Sequence, residues 1–371
     1  MATFASGASC FRCFFMRLRI ILMGERLFHF QPNRNTAETG LHLATKKRRI
    51  VSEKQFDSRS AGSGEASMKL SGLCVTVLLL AGPAGAAADK LEDTYQLLQT
   101  AVASKDAAQV KKLVADLYPL TCEITMSTAP QDPDEKEAWS NKVSYAKSIE
   151  LYGEYALFAT AIQSTPAVTV DLIATLEQQN PKSKYLAEAY GPYLAALSRT
   201  GQSAKILPLA EKGLANFPEN VDLLLFLADN AANHKQTDRA LNYADRLVAS
   251  LAKHPKPESM SAADWERKRS AALGRGYWIA GVINGERNQY TAADKDLRAA
   301  LPLIQGQPSM LAPALFYLGM ADYQLGLMTV NKALVLDAAK FSEQSAMIAS
   351  PYTDQARHNA LVMKAEAAKM R

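Results

Sequence analysis

The sequence predicts an all-α chain built from stacked antiparallel helical hairpins. Three observations carry that expectation. From Asp89 onward the chain is rich in Ala, Leu, Gln, Lys and Glu, the strong helix formers. Apolar residues recur three and four apart, with no long alternation of period two. A twelve-residue step recurs from a small residue of one helix, Ala228, Gly281 or Gly319, to the first marked residue of the next. With 371 residues, 48% of them hydrophobic, there is material for a large core.

Residues 1–88 stand apart. They hold 12 Lys and Arg against 5 Asp and Glu, whereas the remainder holds 30 against 32. The overall charge of +5 therefore belongs to the first segment and gives no reason to expect a nucleic-acid partner for the rest. Met68-Lys69-Leu70, the apolar run Leu73 to Leu80 and the small residues Ala84 to Ala88 together read as an export signal, residues 68–88. Small side chains at Ala86 and Ala88 predict cleavage before Asp89. The apolar run is too short for a comfortable membrane span, so no transmembrane anchor is expected after cleavage. Residues 1–67 are then a disordered extension or a mis-assigned gene start. Their Cys10-x-x-Cys13 pair lacks a matching second pair for zinc, and Lys46-Lys47-Arg48-Arg49 reads as a solvated charge run. An exported chain of this kind is expected in the periplasm or outside the cell.

The periodicity then predicts helices over 90–104, 107–121, 135–164, 167–179, 184–200, 203–216, 221–234, 237–252, 262–286, 291–304, 311–325, 329–346 and 353–369. Short connections favour antiparallel neighbours. Within the hairpins, Leu224-x-x-Leu227-Ala228 precedes Ala240, Ala244 and Leu247. Tyr277-x-x-Ala280-Gly281 precedes Ala293, Leu297 and Ala300. Leu315-x-x-Leu318-Gly319 precedes Asn331, Val335 and Ala338. Upstream, Tyr190-x-x-Tyr193-Leu194 precedes Ile206, Ala210 and Gly213. Small residues placed this way let two helices cross closely while larger ones fill the gaps between ridges. Gly201 and Gly326 are expected to end their first helices in the left-handed conformation. Ser261-Ala-Ala-Asp264 reads as a capping box that starts a long helix through Trp265 and Trp278.

This pattern resembles the tetratricopeptide repeat (TPR) family, with its helical pairs ordered W-x2-L-G-x2-Y, then A-x3-F, then P. The fullest units are 187–220 and 221–254; 274–307, 312–345 and 150–183 match less completely, and 255–273 is an insertion. No unit has the opening Trp, and Ile206 and Asn331 replace the small residue. The resemblance implies a right-handed solenoid over 150–345, preceded by a helical region 89–149 and closed by a capping helix in 346–371. It also implies a concave groove, lined by the first helix of each hairpin, where a protein or peptide partner binds. Groove-facing offsets fall on Arg199, Asp229, Asn233, Trp278, Phe316, Tyr323 and Gln324. Asp229 and Asn233, one turn apart, are candidates for exposed polar contacts. Phe316, Met320 and Tyr323 share a face that either grips an apolar side chain or packs on the last helix.

No catalytic constellation, metal set or cofactor motif emerges. His234, His254 and His358 are dispersed, and no HExxH is present. Ser144-Tyr-Ala-Lys147 lies on a continuous helical pattern without its accompanying motifs. Gly274-Arg275-Gly276 lacks a preceding strand and a third glycine. Asp132-Pro-Asp134-Glu135 lacks the glycine and distal Glu of a calcium loop. Cys122 is the only Cys beyond the signal, so that part of the chain holds no internal disulfide. The expectation is a non-enzymatic scaffold. The alternatives are a cell-wall or glycan-processing enzyme on helical hairpins, and a structural assembly subunit of the cell envelope.

Overall fold

The computed structural model describes residues 83–253, 255–257 and 260–370, so the expected extension and most of the expected signal lie outside it. Among the described residues there are thirteen α-helices and no strand. They are α1 Pro83–Ala103, α2 Ala107–Thr125, α3 Pro133–Ala161, α4 Pro166–Gln179, α5 Lys184–Arg199, α6 Ile206–Asn216 and α7 Val221–Asn233. The others are α8 Thr237–Lys253, α9 Ala262–Glu286, α10 Tyr290–Ala300, α11 Pro308–Met328, α12 Lys332–Ala346 and α13 Thr353–Lys369. Short 3-10 turns at Ser203–Lys205 and Leu301–Leu303 replace the first turn expected for α6 and the last expected for α10. The expected domain border at 149/150 falls inside α3, and that at 345/346 falls in the last turn of α12.

Five hairpins turn in the same way. Lys105, Gly201, Lys235, Asn288 and Val330 all adopt the left-handed conformation, with φ between 52° and 74°. In each case the next N–H bonds a carbonyl five residues back: Asp106 to Ala101, Gln202 to Leu197, Gln236 to Ala231, Gln289 to Asn284 and Asn331 to Gly326. This Schellman arrangement satisfies the free carbonyls that end the first helix. In four of the five, the same next residue opens the second helix by accepting from the N–H four positions on, at Val110, Ala240, Ala293 and Val335. All four of those side chains are fully buried. In the α7–α8 and α9–α10 hairpins the twelve-residue step seen in the sequence, Ala228 to Ala240 and Gly281 to Ala293, is thus a turn of fixed geometry flanked by two buried positions.

The geometry corrects two expectations in the α11–α12 hairpin. Gly326 is not the left-handed residue; it lies inside α11, with Val335 so close that a Cβ would sit 2.7 Å from its Cγ2. Val330 takes the left-handed turn instead, and α11 runs one turn longer than expected. Asn331 therefore does not occupy the small-residue position of a second helix. It caps α12, its side chain accepting from the Leu334 N–H at 3.1 Å, and Val335 takes the buried position.

Consecutive helices pack along the whole stack. Each odd-numbered helix from α3 to α11 also packs on the odd helix two before it. The even helices meet one another sparsely, apart from α2 with α4, and ion pairs link them: Lys111–Asp171, Lys212–Glu177 and Arg239–Glu211. Glycines set the close crossings. Gly213 lies under the Tyr190 ring, Gly281 under Leu297, and Gly319 against Ser342 and the Ala338 carbonyl. The α9 cap forms as the capping-box spacing predicts, with the Asp264 N–H donating to Ser261 Oγ at 3.1 Å. No described helix is long and apolar enough to cross a membrane.

Candidate functional site

The seven sequence-derived candidates all lie on odd-numbered helices, as first helices of their hairpins: Arg199 on α5, Asp229 and Asn233 on α7, Trp278 on α9, and Phe316, Tyr323 and Gln324 on α11. They do not converge on one cavity. Arg199 and Asn233 are exposed at the C-terminal ends of α5 and α7. Asp229 is not an exposed polar contact. Its carboxylate accepts from Arg275 Nε at 2.5 Å, and both side chains are largely covered. The Arg275 guanidinium also lies over the Trp278 ring, 4.6 Å from its centre. Trp278 in turn donates its indole N–H to the Met310 carbonyl at 2.8 Å. One chain of contacts therefore runs from α7 through α9 to α11. A charge pair with this much cover is harder to screen than a surface pair.

Arg275 is the residue that sequence reasoning passed over, and the flanking glycines were its signal. Gly274 lets α9 approach Leu303 and Ile304, and Gly276 lets it approach Val248. The arginine between them is held where it can span two helices. Two turns earlier the same seam repeats, since Asp222 pairs with Lys268 at 2.7 Å, seven residues before Asp229 and Arg275 respectively. Gly191 of α5 makes room for that carboxylate; a Cβ there would meet Asp222 Oδ2 at 2.8 Å. Asp222 and Lys268 thereby tie α5, α7 and α9 together.

The Phe316, Met320 and Tyr323 face is covered from within the chain. Met320 and Tyr323 pack on Val335 and Ala338 of α12 and on Met363 and Ala367 of α13, and Asn359 Nδ2 lies 3.2 Å from Met320 Sδ. Phe316 packs against Tyr352, just before α13, at 4.9 Å between ring centres. Beside it, Tyr317 sits over Gly285 and reaches Glu286 at 3.5 Å. Burial, with the charge and hydrogen bonds of Tyr352 and Glu286, pushes the Tyr317 hydroxyl well above its ordinary range. Burial also raises the Glu286 carboxyl.

A more open aromatic face occurs nearer the N-terminus, and the sequence reading did not include it. Tyr95 of α1, Tyr152, Tyr155 and Phe158 of α3, and Tyr185 of α5 form a continuous run of ring contacts 5.3–5.9 Å apart. Tyr155 is exposed, and Lys184 lies over the Tyr185 ring at 4.9 Å. The spacing of Tyr152, Tyr155 and Phe158 was the local signal; their partners on α1 and α5 are distant in sequence.

The residues considered for catalysis stay apart. Ser144 and Lys147 are exposed on α3, and Gly274-Arg275-Gly276 is mid-helix. Asp132 caps α3, accepting from the Asp134 N–H at 2.9 Å. His234 ends α7, its Nδ1 2.7 Å from the Asn230 carbonyl; His254 lies outside the described residues. Cys122 is a free, half-buried thiol on α2. No group of three metal-capable side chains occurs among the described residues. No protein-family model matches the chain, and no curated protein matches its sequence.

Proposed function

We propose that this chain is an exported TPR-like scaffold, a right-handed solenoid that binds a protein or peptide partner along its odd-helix groove without chemistry of its own. The observation that carries the reading is the direct packing of successive odd helices, five of which turn into their even partners with one geometry. A stack of that kind holds its inner face rigid, so a partner segment binds without first ordering the receptor. Arg199 and Asn233 supply exposed polar groups, and Tyr155, exposed beside the half-buried rings of Tyr95, Tyr152 and Tyr185, supplies aromatic surface of the type enriched in binding hot spots. Asp229, Arg275, Trp278, Phe316 and Tyr323 serve the scaffold by fixing neighbouring helices, and Gln324 lies beside them on α11. Export rests on the sequence of residues 68–88 alone; cleavage before Asp89 would remove the first six residues of α1 and keep its first core side chain, Leu91.

The test is an affinity pull-down from envelope extracts with three baits: the unaltered chain, Arg199→Glu with Asn233→Ala, and Tyr155→Ala. A control bait, Lys340→Glu, changes an exposed residue of α12. The expected result is one partner recovered by the unaltered and control baits and depleted at least fivefold by the other two. Equal recovery by all four contradicts groove binding. N-terminal sequencing of the expressed protein is expected to read from Asp89, and an intact Met1 overturns export.

A further inference from the structure

Where α4 and α6 part above α5, a cleft of about 400 Å³ opens. It is open to solvent on one side, and its lining sets apolar side chains beside Glu177, Tyr193, Lys205 and Lys212. Leu197 of α5 and Leu209 of α6 form the walls. Glu177 of α4 enters with a side chain only 10% exposed, and one of its carboxylate oxygens is buried without a hydrogen bond. Lys212 Nζ stands 3.0 Å from that oxygen, but without hydrogen-bonding geometry, and its side chain is 64% exposed. Lys205 lies at the rim, donating to Gln202 Oε1 at 2.8 Å. Burial and the Glu177 charge raise the Tyr193 hydroxyl, also in the lining, to about 12.

We propose that this cleft binds a free apolar α-amino acid, with its ammonium on Glu177, its carboxylate on Lys205 and Lys212, and its side chain between Leu197 and Leu209. The charge pattern selects this chemistry. A fatty acid would bring its tail against the covered Glu177 carboxylate, which pairs with Lys212, and offers no cation in exchange. A simple alkylamine would satisfy Glu177 but leave two rim ammoniums facing a cation. A zwitterion with an apolar side chain answers all three charged groups and the walls. Lys212 occupies the place of the ligand ammonium now; being mostly solvated, it is free to turn outward to the ligand carboxylate. The site is separate from the odd-helix groove, so it stands or falls independently of the scaffold reading.

The test is calorimetric titration of the full chain with L-leucine, isoamylamine and 4-methylpentanoate. A parallel readout follows the tyrosine ultraviolet difference spectrum, which reports on Tyr193. Leucine is expected to bind with a dissociation constant below about 1 mM, and each half-molecule at least tenfold more weakly. Glu177→Gln, which keeps the side-chain shape, is expected to weaken leucine at least tenfold, and Leu209→Trp to abolish binding by filling the cleft. Far-ultraviolet circular dichroism confirms that both variants are folded, and Lys205→Ala, at the exposed rim, gives a further weakening without touching the core. Absence of leucine binding at about 10 mM overturns the proposal. So does equal affinity for isoamylamine, or unchanged affinity in Glu177→Gln.

Discussion

Asp322 on α11 has no exposed surface, yet it belongs to a residue type that is almost never fully buried unless paired. Its Oδ2 accepts from Arg298 at 2.6 Å, while Oδ1 is buried without a hydrogen-bond partner. Arg298 also pairs with Asp294 at 2.5 Å, and the same guanidinium lies 5.5 Å from the centre of the Phe341 ring on α12. Burial is the largest cause that lifts the Asp322 carboxyl, to about 7. The adjacent Asp294 carboxylate adds to the rise and Arg298 opposes it. The native carboxyl therefore holds a proton more tightly than in the unfolded chain, where its pKa is about 3.9. Its contribution to stability is full below about pH 4 and is lost as pH rises through 7. Burial raises Asp245, Asp296 and Glu286 in the same direction. The chain is therefore expected to be more stable at pH 5.5 than at pH 8, by on the order of 2 kcal/mol. Thermal unfolding across that range checks this, and Asp322→Asn is expected to flatten the profile. A wild-type melting temperature that rises with pH would contradict the assignment.

At the scale of the element, the turns decide where each helix stops. The left-handed conformation costs an L-residue roughly 1–2 kcal/mol, and a β-branched residue is the poorest fit for it. Val330 adopts it nonetheless, with a side chain 76% exposed that contributes almost no burial in return. Val330→Gly is expected to stabilise the chain by about 1 kcal/mol after the entropy of glycine is subtracted. Gly201→Ala is expected to destabilise it by a similar amount, because the added Cβ meets no neighbour and only the backbone conformation resists. Urea denaturation measures both, and a stabilising Gly201→Ala would show that the turn geometry is not the restraint. The same turns mark what the sequence could and could not reveal. All thirteen helices were legible because the apolar period of each persists for three turns or more. The α11–α12 junction was not, because Gly326 carries the usual helix-stopping signal while packing under Val335 deep in a helix. No propensity rule places Val330 in a left-handed turn; the need of Gly326 and Val335 to meet places it there. The candidate residues were legible as members of first helices, but not in their roles. Asp229 looked solvent-facing because its partner, Arg275, is 46 residues away and was concealed in a glycine-flanked triplet.

For the whole molecule, the packing of each helix on its neighbours predicts that stability is lost locally before it is lost globally. The core has one large apolar cluster running from Leu91 of α1 to Ala272 of α9 and smaller clusters beyond it, the last of which joins α12 and α13 through Val335, Ala338, Met363 and Ala367, with Met320 and Tyr323 of α11 against it. Helix α13 is a lid on this last cluster, since exposed residues such as Leu361 and Val362 lie on its outer side and Met363 on its inner side. Burying a large apolar side chain is worth about 1.5–3 kcal/mol. Deleting residues 353–371 is therefore expected to weaken α11 and α12 by on the order of 3–5 kcal/mol. It should also expose the Met320–Tyr323 face as a self-associating surface. Hydrogen exchange is expected to show faster opening in α11 and α12 with α1 to α6 nearly unchanged, and size-exclusion chromatography to show concentration-dependent oligomers. Uniform loss of protection from α1 to α12 would mean instead that the stack unfolds as one cooperative block. In that case the ion-paired seam of Asp222, Lys268, Asp229 and Arg275 couples the two ends more strongly than the division into clusters implies.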